Sequence, residues 1–162
     1  VRLGQGVEWA LHCCSLLAAV PPGQALPAAR LAEYHGVPGP YLAKQLQALS
    51  AAGLVETVAG PKGGYRLARP AADITVLDVV LAVDGDDPAF TCSEIRRNSP
   101  GPFDPAMFPA PCGIARIMWD AEAAWRAELR RHTIADLLGL ALRDSAPERL
   151  EASATWLGEA VR

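Results

Sequence analysis

Four residues of this chain have types and spacings suited to holding a metal: Glu8, His12, Cys92 and Cys112. Glu8 and His12 are four positions apart in an apolar stretch. On a helix they share one face, within about 6 Å of each other. A carboxylate and an imidazole so placed can ligate one metal, or simply hydrogen-bond to each other on a helix surface. Cys92 and Cys112 are separated by twenty positions and lie in or beside a proline-rich stretch. Cys112 directly precedes Gly113 at the start of a helical pattern, where the helix dipole and free amides favour a thiolate. Cys92 has Asp84, Asp86, Asp87 and Glu94 near it in sequence. These disfavour a bare thiolate, so a bound cation would change its chemistry most. Spacing alone leaves three readings of this pair: inert thiols, a redox disulfide, or metal ligands. Cys13 and Cys14 are adjacent, so on a helix they point about 100° apart and cannot both face one metal. They read as small buried side chains.

The elements that must carry these residues are legible from periodicity and stop signals. Residues 5–20 read as a first helix ended by Pro21-Pro22-Gly23. Residues 28–34 carry Leu31, Ala32 and Tyr34 at helical spacing, and Gly36 supplies the left-handed backbone of a tight stop. A second helix begins near Pro40 with Leu42, Leu46 and Leu49 inward. Leu54 to Val58 alternates as a strand should, Gly60-Pro61-Lys62-Gly63-Gly64 is a turn, and Tyr65-Arg66-Leu67 resumes the alternation. Two short helices at a tight turn, then a hairpin with a basic tip, form the layout of a winged helix-turn-helix DNA reader. The second helix would present Pro38, Gly39, Tyr41, Lys44 and Gln45 to the major groove, with Lys62 and Gly63 at the wing and Arg2 near the amino terminus.

A short helix over 74–83 has Thr75 and Asp78 placed to cap it. Residues 84–111 lose all periodicity, and prolines recur at positions 88, 100, 102, 105, 109 and 111. A loop this long inside a compact domain is usually functional or disordered. A long helix follows over 112–131, with Ile114, Ile117, Met118, Ala121, Trp125 and Leu129 along one side. That stripe finds no obvious partner among the short elements, so a second copy of itself is expected to cover it. Thr133 with Asp136 opens a further helix through Leu142, and residues 147–161 form the last.

The net charge of −3 divides unevenly. Residues 1–70 carry six Lys or Arg against Glu8, Glu33 and Glu56, a net +3, whereas residues 71–162 carry −6. The positive charge thus falls where the reader lies. The longest stretch without Asp, Glu, Lys or Arg, residues 9–29, is interrupted by His12, Pro21-Pro22-Gly23 and Gln24, so no membrane span is expected. Glu8 and His12 inside the apolar run argue against a signal peptide, and the expected location is cytoplasmic. No nucleophile elbow, phosphate loop or dinucleotide fingerprint is present, so no enzyme is expected.

These residues together resemble the IscR/NsrR-type winged-helix regulators, bacterial transcription factors that often carry iron–sulfur clusters. The likeness runs over roughly residues 1–132: Arg2-Leu3, Tyr41-Leu42, Leu54-Val55, the stretch from Gly60 to Pro70, Ile74-Thr75-Val76-Leu77-Asp78-Val79, the cysteine loop and the long helix. The resemblance implies a homodimer crossed at the long helices, with the loop of one protomer near the first helix of the other. Cluster-bearing members usually have three cysteines in this loop. Here Asn98 and Asp104 occupy positions where thiols would be expected, which argues against a cubane cluster. The set Glu8, His12, Cys92 and Cys112 is similar to that of an actinobacterial redox-regulator subgroup. In that subgroup a [2Fe–2S] cluster is held by two thiolates of one chain and by Glu and His of the other. Trp9, beside Glu8, is then a candidate switch residue. The resulting expectation is a mostly α homodimer that binds a pseudo-palindromic double-stranded DNA site. It has a winged helix-turn-helix DNA-binding domain over 1–83, a cluster-binding loop over 84–112, and a long dimerisation helix with C-terminal helices over 113–162. The alternative is a cluster-free thiol switch closing a Cys92–Cys112 disulfide.

Overall fold

The computed structural model describes residues 2–98, 100–101 and 104–161; Pro102 of the loop lies outside them. Helix α1 (Gln5–Ala18) is central, turning Val7, Ala10, Cys13, Cys14, Leu16 and Leu17 inward. Helix α2 (Ala28–His35) ends at Gly36, whose φ of 62° is the left-handed stop required there. Helix α3 (Gly39–Ala51) starts with proline in its first turn and buries Leu42, Leu46 and Leu49. Proline is tolerated there because that amide has no partner within the helix.

Strands β1 (Val55–Val58) and β2 (Gly64–Leu67) pair antiparallel, with Val55 opposite Leu67 and Val58 opposite Gly64. Two backbone hydrogen bonds fasten the hairpin to the segment before α2: Tyr65 N–H to Leu26 O at 2.8 Å and Leu26 N–H to Tyr65 O at 2.9 Å. This close approach requires Gly64, because a Cβ there would stand 2.2 Å from the Leu26 carbonyl oxygen. The fold is thus mostly helical, with a winged helix-turn-helix of α2, α3 and the hairpin.

Helix α4 (Val76–Asp84) opens with a reciprocal cap: Asp78 N–H donates to Thr75 Oγ1 at 3.1 Å, and Thr75 N–H to Asp78 Oδ2 at 2.9 Å. Ile74, expected inside this helix, is extended (φ −113°, ψ 114°), so the helix starts two residues later. Thr133 and Asp136 cap α6 (Ile134–Asp144) in the same way. The two starts are stitched together by Val76 N–H to His132 O (2.8 Å) and Ile134 N–H to Ile74 O (2.9 Å). Ile134 consequently sits fully buried in the core with Leu26, Leu31, Leu46 and Val79. Helix α7 (Pro147–Ala160) returns Trp156, Leu157 and Ala160 onto the same cluster.

Helix α5 (Gly113–Arg130) corrects one expectation. Its apolar stripe is divided between two partners. Ile114, Ile117 and Met118 are exposed, with Ile117 at 70%, and Trp119 joins them at 43%. Trp125 and Leu129, by contrast, pack on Val7, Val76 and Val80 of their own chain. The reason is geometric. Trp125 lies about 20° around the helix from Ile114, closer than the exposed Met118 at about 40°, so it is distance along α5, not rotation around it, that divides the stripe. The carboxy-terminal end of the stripe therefore lies against its own chain.

Candidate metal centre and nucleic-acid interface

The two cysteine pairs occupy opposite environments. Cys13 and Cys14 are fully buried on α1, and burial pushes both thiols up to about 12. A thiolate without compensation is costly in an apolar interior. Cys92 and Cys112 are half-buried, and neither forms a disulfide. Cys112 is the residue just before α5. The Ala115 and Ile114 amides of the first turn, followed by Arg96, favour the charged form and hold the thiol below its ordinary value. At Cys92, the Glu94 amide donates to Sγ at 3.4 Å, with Glu94 at a φ of 51°.

Two of the four acidic residues expected near Cys92, Asp86 and Glu94, are paired with arginines. Arg126 pairs with Asp86 and with Glu122, the latter at 2.7 Å. Arg96 binds the Glu94 carboxylate, at 2.6 Å for its Nη2, and reaches Ala110 O at 3.1 Å. Its guanidinium also lies over the Phe108 ring, 4.6 Å from the centroid. Arg96 feels the charge of both sulfurs, Cys112 and then Cys92. Arg96 organises the loop around the two thiols, a role that spacing did not reveal. Its only sequence signal is a position four after Cys92.

Glu8 and His12 are both exposed on one face of α1. They border an open hollow of about 510 Å³ whose other walls include Leu3, Val7, Leu11 and Leu137. Behind His12 lies His35, with ring centroids 5.6 Å apart. Burial, and then the neighbouring His12, lower His35 to about 4, and its Nε2 is buried without a hydrogen-bond partner among the described residues. No three His, Cys, Asp or Glu side chains gather within one chain into a metal-holding group among the described residues. The four candidate ligands therefore fall into two half-sets: Cys92 of the loop and Cys112 at the α5 start, both acting on Arg96, and a carboxylate–imidazole pair on α1. As chemistry, two thiols with one acidified, an imidazole and a carboxylate suit a [2Fe–2S] cluster with unlike ends.

On the reader, Pro38, Gly39, Tyr41 and Lys44 are all exposed, Tyr41 at 65%. Gln45, expected beside them, is turned towards α1: a Cβ added at Gly6 would stand 2.8 Å from its side-chain amide. Gln47, which sequence reasoning passed over, is exposed. It shares the i, i+3 progression of Tyr41 and Lys44. Lys62 stands exposed at the wing tip beside the half-buried Gly63. Of the other cations in the first 70 residues, Arg30 pairs with Glu33 (2.5 Å), Arg66 with Glu56 (2.6 Å) and Arg69 with Asp78 (3.7 Å). Lys44, Lys62 and the exposed Arg2 enter no such pair among the described residues. The Trp9 ring meets Tyr41 edge-on at 6.4 Å, which joins the residue next to Glu8 to the exposed face of α3.

No helix among the described residues is long and apolar enough to cross a membrane. The family model for Rrf2, described as an iron-dependent transcriptional regulator, matches residues 3–139. Protein aau3 of Rhizobium meliloti (strain 1021) is 38% identical over 108 residues, covering 67% of this chain and 66% of that protein. A putative HTH-type transcriptional regulator of Bacillus subtilis, YwgB, is 36% identical over 52% of this chain and 54% of its own length. The match thus spans just under two thirds of the first relative and about half of the second. The Bacillus subtilis HTH-type transcriptional regulator NsrR is 27% identical over 85% of this chain and 90% of its own. Among solved structures, T. potens IscR superposes with a TM-score of 0.67 at 23% identity, covering 90% of this chain and 92% of that one. CymR of B. subtilis, described as its global cysteine regulator, gives 0.65 at 22% identity over 86% and 97%. At these identities the structures speak to fold alone. The span of the family match is decisive: this chain belongs to the Rrf2 family of transcriptional regulators.

Proposed function

We propose that this chain acts as a homodimeric, DNA-binding transcriptional regulator that senses redox state through a [2Fe–2S] cluster. The ligands are Cys92 and Cys112 of one protomer with Glu8 and His12 of the other. The observation that carries this reading is the division of the donors: acidified Cys112 with Cys92 on one face, Glu8 with His12 exposed on another. Two copies unite the half-sets, and the exposed Ile114, Ile117 and Met118 of α5 supply an apolar seam beside the thiols. The family's description as iron-dependent adds support.

When bound, a cluster with thiolates on one iron and nitrogen and oxygen ligands on the other supplies reversible one-electron chemistry. The protein's part is positional and electrostatic. The start of α5 lowers the proton affinity of the Cys112 thiol, and Arg96 balances charge near both sulfurs. Any shift of Glu8 and His12 moves Trp9, whose ring bears on Tyr41 of α3. Lys44 on α3 and Lys62 on the wing hold phosphate or base edges of a pseudo-palindromic site. The test is anaerobic purification followed by iron and sulfide assay, visible absorption, and DNA affinity before and after one-electron reduction. Two irons and two sulfides per protomer are expected, with affinities differing by about 1–3 kcal/mol between redox states. Iron-containing protein with equal affinity in both states would refute sensing.

A second reading is a thiol switch closing a Cys92–Cys112 disulfide. Both thiols are free, half-buried and close enough to Arg96 to perturb it. An iron-free protein that loses two titratable thiols on mild oxidation would favour it.

A further inference from the structure

Helix α7 lies beyond residue 139, outside the stretch by which the family is recognised. It nevertheless reaches the DNA reader. The Tyr34 hydroxyl and Ser153 Oγ are hydrogen-bonded at 2.9 Å, the Tyr34 and Trp156 rings are 4.8 Å apart, and the Arg30 guanidinium stacks on Trp156 at 4.7 Å. All three contacts fall on α2. That helix has eight residues, lacks a side-chain N-cap and buries only Leu31 and Ala32. Helices this short depend on tertiary contacts for their stability. Only Gly36-Val37-Pro38 separates α2 from α3 and the two helices pack on each other, so a displacement of α2 is passed to the recognition helix.

The space beneath α7 sharpens the point. Although α1 and α6 pack on each other, a cavity of about 670 Å³ opens between α2 and the carboxy-terminal helices, with Trp9, His35, Leu138, Leu150 and Leu157 among its walls. Continuous packing therefore does not hold α2 at its distance from α6. The contacts of α7 span the gap. The other end of α7 follows directly on α6, whose Ile134 and Leu137 belong to the core that α1 enters.

Resting on the DNA-binding reading above, we infer that α7 is a brace that fixes α2, making Tyr34, Ser153 and Trp156 positioning residues for DNA recognition. The brace contributes no phosphate contact of its own. Its loss misaligns α3 in the groove while leaving the basic wing intact.

The test uses full-length, anaerobically purified protein at one salt concentration. Its probes are a duplex selected by the wild type from a randomised pool and a scrambled duplex of equal length. Trp156→Ala is expected to weaken binding to the selected duplex about tenfold, or roughly 1.4 kcal/mol. Binding to the scrambled duplex should stay within about twofold, because that affinity comes from phosphate contacts. Trp156→Phe should restore most of the loss, since a phenyl ring still receives Arg30. A folded Trp156→Ala protein with unchanged selectivity, or with equal losses on both duplexes, would overturn the inference. If Trp156→Ala fails to fold, Tyr34→Phe and Ser153→Ala carry the test. Each should weaken selected binding about threefold, and the double variant no further, because both remove one shared hydrogen bond. Unchanged binding in both would equally overturn it. A wild type that selects no duplex refutes DNA recognition itself and the brace with it. Lys62→Ala, which should weaken both duplexes alike, reports on DNA contact independently of α7.

Discussion

The interior of α1 and the loop that leads into α5 each hold a pair of cysteines, and the two pairs have little chemistry in common. Cys13 and Cys14 are buried within the hydrophobic core cluster, and their thiols are pushed up to about 12. Cys112 meets two helix amides and an arginine, and its thiol is held down. Residue type is the same in both places, so the environment decides reactivity. A buried thiol is inert because nothing replaces the water that would solvate its anion. A thiol at a helix start is poised because oriented amides replace that water.

The largest expected effect breaks the pairs apart. Cys92→Ala or Cys112→Ala should abolish iron binding and the visible absorption of the anaerobically purified protein, whereas Cys13→Ala should leave both in place. Iron retained in Cys112→Ala would end the proposed ligand set.

The next tests whether one chain suffices. Ile117→Glu places a charge on the exposed α5 seam without touching any thiol. Burial of an unpaired charge costs on the order of 3–5 kcal/mol. Sedimentation should show a monomer, and iron should be lost with the dimer. A monomeric variant that keeps its full iron content would contradict a site shared between protomers.

Reactivity in iron-free protein sharpens the contrast. Cys112 should be alkylated at lower pH than an ordinary cysteine, because its thiolate persists below the usual value of 9.0. Cys13 and Cys14 should react only when the protein unfolds. Arg96→Gln should move the Cys112 profile to higher pH by removing a nearby positive charge. Mass spectrometry of alkylated peptides across a pH series reads all three outcomes.

The smallest effect concerns stability. Cys14→Ala deletes one buried heavy atom from a packed helix interface. It should cost roughly 1 kcal/mol in urea denaturation, the scale of removing one buried methyl-sized group. A much larger loss would mean that the buried pair has a role beyond packing.

Much of the reader was legible before any coordinates. Gly36 ends α2, Gly60 to Gly64 turn the hairpin, and Thr75–Asp78 and Thr133–Asp136 close reciprocal caps. The candidate site was legible as four residue types with their spacings, and Cys112 lies just before α5 as its position implied. Arg96 was not legible, because its importance comes from Ala110 and Phe108, more than ten residues away. Nor was the inward turn of Gln45, which depends on Gly6 of another helix.

Sequence by itself determined the local events: where helices start and stop, where the chain turns back, and which residues could be ligands. Those events depend on hydrogen bonds and backbone preferences among residues a few positions apart. Tertiary structure alone decided which end of α5 meets its own chain, assigning Trp125 and Leu129 to the core and leaving Ile114 and Ile117 outside. It also decided the return of α6 onto the core and of α7 onto α2. The physical reason is that an amphipathic pattern specifies that a face must be buried, whereas its partner is chosen by the summed contacts of distant elements.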